Sequence, residues 1–449
     1  MKHLFSRLSP AQKIILSFLL VIFCGSLLLS LPWVQTASSQ AGYLDHLFTA
    51  VSMVCVTGLF TRSVVDTYNV WGQLLCMLLI QIGGLGILTF IGFFTMESRK
   101  KLSLKDRRIL RDSFSYGHNR TLGQFVRSIF ITTFSIEGLG ALLLMIRFIP
   151  KFGLRKGIFN SIFLAVSAFC NAGFDNFGND SLLGLQTDVL VNITLALLII
   201  TGGLGFMVWF DLATKLGGKQ KGLHFHTKVV LLLTAGLLVI GTVASLWTEY
   251  HNPGTIGNLS FGDKLLVSFF QTVSMRTAGF ASIDYTAARP VTLFIYLLQM
   301  FLGGAPGGTA GGLKITTFLV LLLFARKEIL SLPHTNLGRR TLAPQLVQKA
   351  FGVTVIFQLT FLLGLLALGL VTDSSHRFIY LIFETVSALA TVGVTANITT
   401  SLNTAGMIVI MLLMFIGRVG PLTLMVSLNH YQPKNAATLH YSKADIMIG

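Results

Sequence analysis

The chain has 449 residues, of which 53% are hydrophobic and only 11% are charged, and its mean hydropathy is +0.74. Soluble domains carry about 25% charged residues, so this composition cannot cover a water-facing surface. The numbers exclude a disordered chain, a coiled coil, a secreted disulfide scaffold and an ordinary cytosolic enzyme. They predict an all-α polytopic membrane protein whose apolar segments lie in lipid.

Eight apolar runs are long enough to cross a bilayer, which needs about 20 residues. In chain order they are 14–34, 71–96, 128–149, 189–212, 229–247, 291–324, 350–371 and 403–427. The first run is longer than the apolar core of a signal peptide and lacks a convincing cleavage site, so we expect it to be a span. A shorter apolar stretch lies between the two spans of each pair, at 47–58, 162–173, 265–279 and 382–393. Stretches of this length favour buried or re-entrant helices.

The formal net charge of +17 suits either nucleic-acid binding or the positive-inside rule of membrane proteins. With the N-terminus in the cytoplasm, 23 of the 34 Lys and Arg residues fall on the inner segments 1–13, 97–127, 213–228, 325–349 and 428–449. Orientation therefore accounts for the charge without nucleic acid, and it predicts cytoplasmic N- and C-termini. An outer cluster, Lys151, Arg155 and Lys156, is contrary to this rule.

A fourfold repeat is visible in the short apolar stretches, which end as AVSMVCVTGLF (50–60), AVSAFCNAGF (165–174), QTVSMRTAGF (271–280) and ETVSALATVGV (384–394). A Val-Ser pair precedes a glycine by a nearly constant distance in every copy. A second motif follows each glycine: IGGLGI (82–87), TGGLGF (201–206), LGGAPG (302–307) and IGRVGP (416–421). The pattern predicts four repeats, 1–96, 97–212, 213–325 and 326–449, each with a span, a re-entrant helix, a Gly-ended loop and a second span.

Four such units in one chain are what a pore with pseudo-fourfold symmetry requires. Loop carbonyls turned toward one axis can replace the hydration shell of a cation, and glycine permits the backbone angles that this demands. Each re-entrant helix would direct the negative end of its dipole at the ion. The alternative interpretation is a helix C-cap that was copied by duplication and has no function.

The loops VTGL, NAGF, RTAGF and TVGV, the stretch GGAPGGTAGG and the motif GRVGP carry a resemblance to a known family. Over nearly its whole length the chain resembles the Trk/Ktr/HKT superfamily of potassium transporters, and within it the bacterial Ktr-type membrane subunit. The resemblance implies a transporter and not an enzyme: K⁺ uptake across the bacterial cytoplasmic membrane through a channel-like, single-file pathway. Its selectivity filter, the only metal-ion site implied, would comprise Val56, Thr57, Gly58, Asn171, Ala172, Gly173, Thr277, Ala278, Gly279, Thr391, Val392 and Gly393. Na⁺-selective members carry Ser at the first-repeat glycine, so Gly58 favours K⁺.

The span 291–324 contains seven Gly or Pro residues between positions 303 and 312. An interior Gly costs a helix about 1 kcal/mol and an interior Pro about 3 kcal/mol, so we expect this span, alone among the four repeats, to break. The break is either a kink at a packing contact or a movable loop across the pore, where the resemblance places the gate. The gate residues would be Gly303, Gly304, Ala305, Pro306, Gly307, Gly308, Thr309, Ala310, Gly311, Gly312 and Arg418.

Three cations lie at membrane depth, where a charge must face water or a partner. Arg418 replaces the third residue of the GG motif, and it would act either as a barrier in the pore or in a salt bridge to Glu137 or Glu384. Lys314 would either reach the cytoplasmic interface or line the inner cavity. Arg276 would brace the third loop through short-helix carbonyls or Glu384.

The resemblance also implies partners: a homodimer, and a cytosolic RCK-type regulatory ring, KtrA/KtrC-like, that binds ATP or ADP. Na⁺ is a possible activator, and the chain itself is expected to hold no cofactor. The basic segment 97–112 suits docking to that ring, although anionic lipid explains the same charges. A secondary transporter with strict Na⁺/K⁺ coupling is the alternative, but such proteins usually show two inverted repeats. An intramembrane enzyme would need a nucleophile-base set or a metal cluster, and the sequence offers neither.

Overall fold

The computed structural model describes residues 10–86, 122–178, 181–218, 220, 222–372 and 377–420. Segment I contains the helices Pro10–Leu29, Tyr43–Val54, Val64–Thr67 and Val70–Leu85, and segment II contains Leu122–Phe152, Leu154–Cys170, Val189–Gly203 and Phe206–Leu216. Segment III contains Phe225–Glu249, Phe261–Ser274, Pro290–Phe301 and Ile315–Ile329, and segment IV contains Pro344–Val371, Phe378–Leu389 and Thr404–Val419. Short 3₁₀ turns lie at Pro32–Val34, Leu183–Leu185 and Thr399–Ser401, and a hairpin of Asn336–Leu337 with Arg340–Thr341 joins segments III and IV.

Each segment begins with a long apolar helix. The four helices that are long and apolar enough to cross a membrane are Gln12–Leu29, Phe125–Phe152, Phe225–Glu249 and Pro344–Val371, and a bent pair in segment II would make a fifth. They coincide with the first span predicted for each repeat. Their outward faces expose large apolar side chains, such as Phe23, Leu142 and Leu363, which suits contact with lipid. The described chain is therefore a helical protein with four candidate membrane spans, or five with the bent pair. The second spans predicted at 71–96, 291–324 and 403–427 contain shorter helices, Val70–Leu85, Pro290–Phe301 and Thr404–Val419.

A shorter helix, called the short helix below, follows the long helix of every segment. The four short helices are Tyr43–Val54, Leu154–Cys170, Phe261–Ser274 and Phe378–Leu389. Their 12 to 17 residues extend about 18–25 Å, which is less than the hydrocarbon core of a bilayer. The C-terminal halves of these helices are buried. The four short apolar stretches of the sequence thus form helices that end inside the protein.

The prediction that only the third repeat breaks is wrong. In segment II the expected span 189–212 bends by 97° between the helices Val189–Gly203 and Phe206–Leu216. Gly205 lies at this bend with φ +90°, and the second helices of segments I and IV end at Gly86 (φ +84°) and Gly420 (φ +91°). Each of these glycines combines a positive φ with an extended ψ of 127–140°, which is incompatible with an α-helix, so the same position of the motif interrupts the helix in all three. In segment III the interruption is longer and covers residues 302–314.

The four segments pack in a closed cycle. The helix that follows the loop in each segment packs against the short helix of the next segment. Segment I thus contacts segment II, segment II contacts III, segment III contacts IV, and segment IV contacts I. Within a segment, a methyl group on Gly83, Gly202 or Gly417 would lie 1.9–2.3 Å from a carbonyl oxygen near the end of the short helix. Only glycine permits this close crossing. As a result, the loops that follow the four short helices meet at one place.

Candidate functional site

Loops I to IV (56–58, 171–173, 277–279 and 391–393) meet at the centre of the cycle, and all twelve of their residues are buried. A methyl group placed on each glycine would collide with a carbonyl oxygen of another loop. The distances would be 2.7 Å from Gly58 to Ala172, 2.7 Å from Gly173 to Ala278, 2.5 Å from Gly279 to Val392 and 1.9 Å from Gly393 to Thr57. Each glycine therefore faces the residue before the glycine of the next loop, and the fourth loop closes on the first.

The four loops share one backbone conformation. The first residue of each is left-handed although none is glycine: φ is +56° at Val56, +58° at Asn171, +66° at Thr277 and +51° at Thr391. The glycine two positions later is also left-handed, with φ between +70° and +101°. Positive φ is uncommon outside glycine, so four matched cases indicate a conformation held by its surroundings. Alternating handedness turns successive carbonyl groups toward the same side, which is the arrangement that a dehydrated cation needs.

Four buried serines hold this conformation, and the sequence analysis did not assign them a role. Gly58 N–H donates to Ser52 Oγ (3.1 Å), Gly393 N–H to Ser387 Oγ (3.0 Å) and Phe174 N–H to Ser167 Oγ (3.0 Å). In segment III the direction is reversed, because Ser274 Oγ donates to Phe280 O at 2.6 Å. The signal was present in the sequence as the Ser of each Val-Ser pair, but spacing alone does not reveal a hydrogen-bond partner.

Each loop glycine lies against a backbone carbonyl oxygen of the next loop. The four short helices end at the loops, which places the negative ends of their dipoles beside the buried carbonyl groups. In the described part of the chain, no three His, Cys, Asp or Glu side chains form a metal-binding group. The carbonyl groups of the loops are oxygen ligands of the kind that suits a hard monovalent ion.

Residues 302–314, named here the intramembrane segment, lie directly against the loops. Gly311 N–H donates to Thr277 Oγ1 at 3.0 Å, and a methyl group on Gly311 would lie 1.9 Å from Thr391 Oγ1. Thr309 donates its hydroxyl to Phe169 O (3.1 Å) and its N–H to Gly202 O (3.1 Å). The intramembrane segment thus contacts segments II and IV as well as the rest of segment III. Ten of the predicted gate residues, 303–312, lie within it.

Arg418 also reaches this segment. Its guanidinium donates to Thr309 O, to Gly83 O and, at 3.3 Å, to Gly84 O, so it joins the intramembrane segment to segment I. The alternative of a salt bridge is wrong: the structure gives Arg418 no ion pair with either buried glutamate. Glu137 accepts hydrogen bonds from Gln81, and Glu384 accepts them from Thr395 and Thr399. Backbone carbonyls solvate the guanidinium in place of a carboxylate.

The other two cations at membrane depth also bear on the predictions. Lys314 Nζ donates to Ala310 O (2.7 Å) and Gly311 O (3.4 Å), so it bonds to the intramembrane segment. Its two predicted positions, at the cytoplasmic interface or lining the inner cavity, stay predictions. Arg276 is 8% exposed, and its Nε has no hydrogen-bond partner. The structure shows no hydrogen bond or ion pair between Arg276 and Glu384, whose oxygens accept from the two threonines named above.

A buried carboxyl lies just beyond loop II. Asp175 Oδ2 accepts from Ser181 Oγ at 2.7 Å, and Oδ1 accepts from Phe177 N–H at 2.9 Å. Burial raises the pKa of Asp175 to about 6, although these two hydrogen bonds oppose the shift. Through these hydrogen bonds the carboxyl holds the turn that follows Gly173.

A closed cycle of helical segments around uncharged, glycine-containing loops defines a membrane protein of the ion-transport class. The chain belongs to the TrkH family of cation transport proteins, whose family model matches residues 7–438. It is 38% identical over 446 residues to the Ktr system potassium uptake protein B of Bacillus subtilis, covering 99% of this chain and 97% of the relative.

Two further comparisons agree with that assignment. The potassium/sodium uptake protein NtpJ of Enterococcus hirae is 38% identical over 453 residues, which cover 100% of this chain and 99% of that protein. The crystal structure of the potassium transporter TrkH from Vibrio parahaemolyticus superposes with a TM-score of 0.72 at 17% identity, covering 93% of this chain and 84% of that one. This last likeness shows the shared fold.

Proposed function

We propose that this chain takes up K⁺ across the bacterial cytoplasmic membrane through a channel-like, single-file pore with pseudo-fourfold symmetry. The observation that carries the proposal is the closed ring of contacts in which each loop glycine faces a carbonyl of the next loop. One relative is named a potassium uptake protein and another a potassium/sodium uptake protein, each 38% identical over nearly the full length, and the ion common to both names is K⁺. The twelve residues of loops I to IV form the selectivity filter, and their carbonyl groups are its ligands.

The filter distinguishes K⁺ from Na⁺ through the spacing of its backbone carbonyl oxygens. A partly dehydrated K⁺ exchanges water oxygens for carbonyl oxygens, and a ring held open by fixed backbone stabilises the smaller Na⁺ less well. The serine hydroxyls hold the ring in shape, and the dipoles of the short helices favour positive charge. The membrane potential supplies the driving force, about 2.3 kcal/mol per elementary charge for each 100 mV.

The intramembrane segment and Arg418 form the gate. The segment lies against Thr277 and Thr391, at the first residues of loops III and IV, where it obstructs one end of the filter. Two cations hold it there through carbonyl groups, Arg418 at Thr309 and Lys314 at Ala310. Opening breaks these bonds, and the glycines of the segment provide the backbone freedom for the movement.

Control of the gate comes from partners. The protein forms a homodimer with cytoplasmic termini, and a cytosolic RCK-type ring that binds ATP or ADP biases the gate, with Na⁺ as a stimulating ion. The positive-inside distribution of charge and the kinship with a Ktr system protein support this arrangement. The basic segment 97–112, suggested as the docking site, lies outside the described residues, as do both termini.

Flux into liposomes tests the proposal. Purified protein should carry K⁺ or its tracer Rb⁺ down an imposed potential, without a Na⁺ gradient, and faster in the presence of the ring. The name potassium/sodium uptake protein of one relative makes strict Na⁺/K⁺ coupling the second candidate. Flux that requires Na⁺ on the same side in a fixed ratio would establish coupling and refute the channel-like pathway.

Removal of residues 307–311 tests the gate separately. We expect flux to become less dependent on the ring while the preference for K⁺ over Na⁺ is retained, because the filter glycines are left in place. A changed ion preference with normal regulation would contradict the gate.

A further inference from the structure

Two adjoining cavities lie beside the hairpin that joins segments III and IV. The larger has a volume of about 500 Å³ and the smaller about 350 Å³, and both are lined by Lys327 and His334. The hairpin forms a fixed wall: Leu342 N–H donates to Thr335 O (2.8 Å), and the Arg340 guanidinium lies 4.6 Å from the centre of the Phe225 ring. Volumes of this size are typical of small-molecule sites, about 300–1,000 Å³.

The cavities combine apolar walls with a basic rim. The larger one has apolar walls, with Phe324, Pro333, Leu342, Pro344, Val347 and Phe351. The rim is basic, because Arg326 and Lys327 line the smaller cavity and the exposed Arg339 lies next to its Gly338. Glu328, which pairs with Lys327 at 2.7 Å, reduces this charge in part. An apolar groove with a cationic rim matches a ligand that has a hydrocarbon part and an anionic head.

The helix lengths place this rim at the depth of lipid headgroups. Ile315–Ile329 has 15 residues, so its end lies about 22 Å from the intramembrane segment. Half a bilayer measures about 15 Å of hydrocarbon and about 20–22 Å with headgroups. Pro344–Val371 has 28 residues and extends about 42 Å, close to the whole thickness. Pro344 therefore lies at headgroup level, and Phe351, two turns further along the same helix, reaches the hydrocarbon.

We propose that these cavities bind an anionic phospholipid of the cytoplasmic leaflet. The phosphate lies between Arg326 and Lys327, and an acyl chain follows the groove past Val347 and Phe351. Basic pockets at the cytoplasmic ends of membrane helices are suited to such headgroups. The site uses the membrane orientation proposed above, but it does not depend on the conduction pathway.

A lipid fits this groove better than a protein partner does. The apolar wall continues onto the outward face of Pro344–Val371, where Phe351 is 59% exposed and Leu363 is 66% exposed. Ile329, at the rim, is 81% exposed, which is unfavourable in water but suits the interface of a bilayer. The groove and the lipid-facing surface of the protein are thus one continuous apolar surface.

Native mass spectrometry of the purified protein tests the proposal, with phosphatidylglycerol as the probe and phosphatidylcholine as its zwitterionic comparison. Arg326→Gln combined with Lys327→Gln should lower phosphatidylglycerol retention roughly 5- to 25-fold, since each juxtamembrane cation contributes about a fivefold factor. Gln348→Trp should fill the groove and lower retention without a change of charge, whereas Glu328→Gln should raise it. The matched control, Arg155→Gln with Lys156→Gln, removes two exposed cations elsewhere and should have no effect.

Equal retention of the two lipids by the unaltered protein would overturn the proposal, as would an equal loss in the control variant. If the cytosolic ring binds at this rim and the protein retains the two lipids equally, the surface belongs to a protein partner and the lipid proposal is refuted. Flux without selective lipid retention would refute the lipid site alone, whereas lipid retention without flux would refute the pore alone.

Discussion

Gly393 offers the sharpest test of the loop geometry. With alanine at this position, the new methyl group would lie 1.9 Å from the carbonyl oxygen of Thr57, whereas a carbon and an oxygen normally approach no closer than about 3.3 Å. The carbonyl must therefore move by about 1.4 Å. At Gly58 the corresponding distance to Ala172 O is 2.7 Å, so the same substitution requires a movement of about 0.6 Å.

Both substitutions also place a side chain at positive φ, which costs about 1–2 kcal/mol. Gly178 separates this strain from the collision. Its φ is +93°, close to the +97° of Gly393, and no atom lies within 4 Å of an added methyl group. Gly178→Ala is therefore a control that carries the backbone strain without the displaced carbonyl.

We expect Gly393→Ala to lose K⁺ over Na⁺ discrimination by tenfold or more, a loss of about 1.4 kcal/mol or greater. Gly58→Ala should lose less, and Gly178→Ala should keep the wild-type ratio. The assay is Rb⁺ uptake into liposomes with competing Na⁺, normalised to monodisperse protein. Unchanged discrimination in Gly393→Ala, or an equal loss in Gly178→Ala, would refute the carbonyl ring. If Gly393→Ala fails to fold, the other two variants still test the carbonyl ring, because Gly58→Ala should discriminate K⁺ from Na⁺ less well than Gly178→Ala.

Ser387→Ala should leave the buried N–H of Gly393 unpaired, a loss of about 1–3 kcal/mol, and should weaken ion discrimination in the same flux assay. Ser161→Ala, which removes a hydroxyl bonded only to its own helix, is the control, and equal effects would contradict a role in the loop. Arg418→Ala should raise flux severalfold and weaken control by the ring, whereas folded protein with unchanged or lower flux would argue against a barrier. Because burial raises the pKa of Asp175 to about 6, the folded state favours its protonated form, and this contribution is lost as the pH rises from about 4 to 6. Asp175→Asn should therefore stabilise the protein by up to about 3 kcal/mol at pH 7.5 and have little effect near pH 4, and a stability gain that is independent of pH in thermal unfolding would contradict the shift.

The sequence by itself determined the class of protein and the order of its repeated elements. Composition required a membrane protein, and the apolar runs located the first long helix and the short helix of each segment. Run length did not fix the second helices, because Gly positions end them after 12 to 16 residues in the described chain. The repeated Ser and Gly positions identified the loops, and the density of Gly and Pro at 303–312 identified the interrupted span. These are local properties, so one chain without any comparison is sufficient to read them.

Tertiary structure decided every contact between distant parts of the chain. Arg418 had two carboxylates as candidate partners in sequence, but packing brought it to the carbonyl groups of Thr309 and Gly83. The bend at Gly205 lies in a motif that the sequence analysis recognised as a repeat without predicting a break there. The order of the loop glycines, with Gly393 facing Thr57 across more than 300 residues, depends on the closed cycle of helices. Which backbone carbonyl meets which donor is set by how helices cross, and no short-range propensity encodes that.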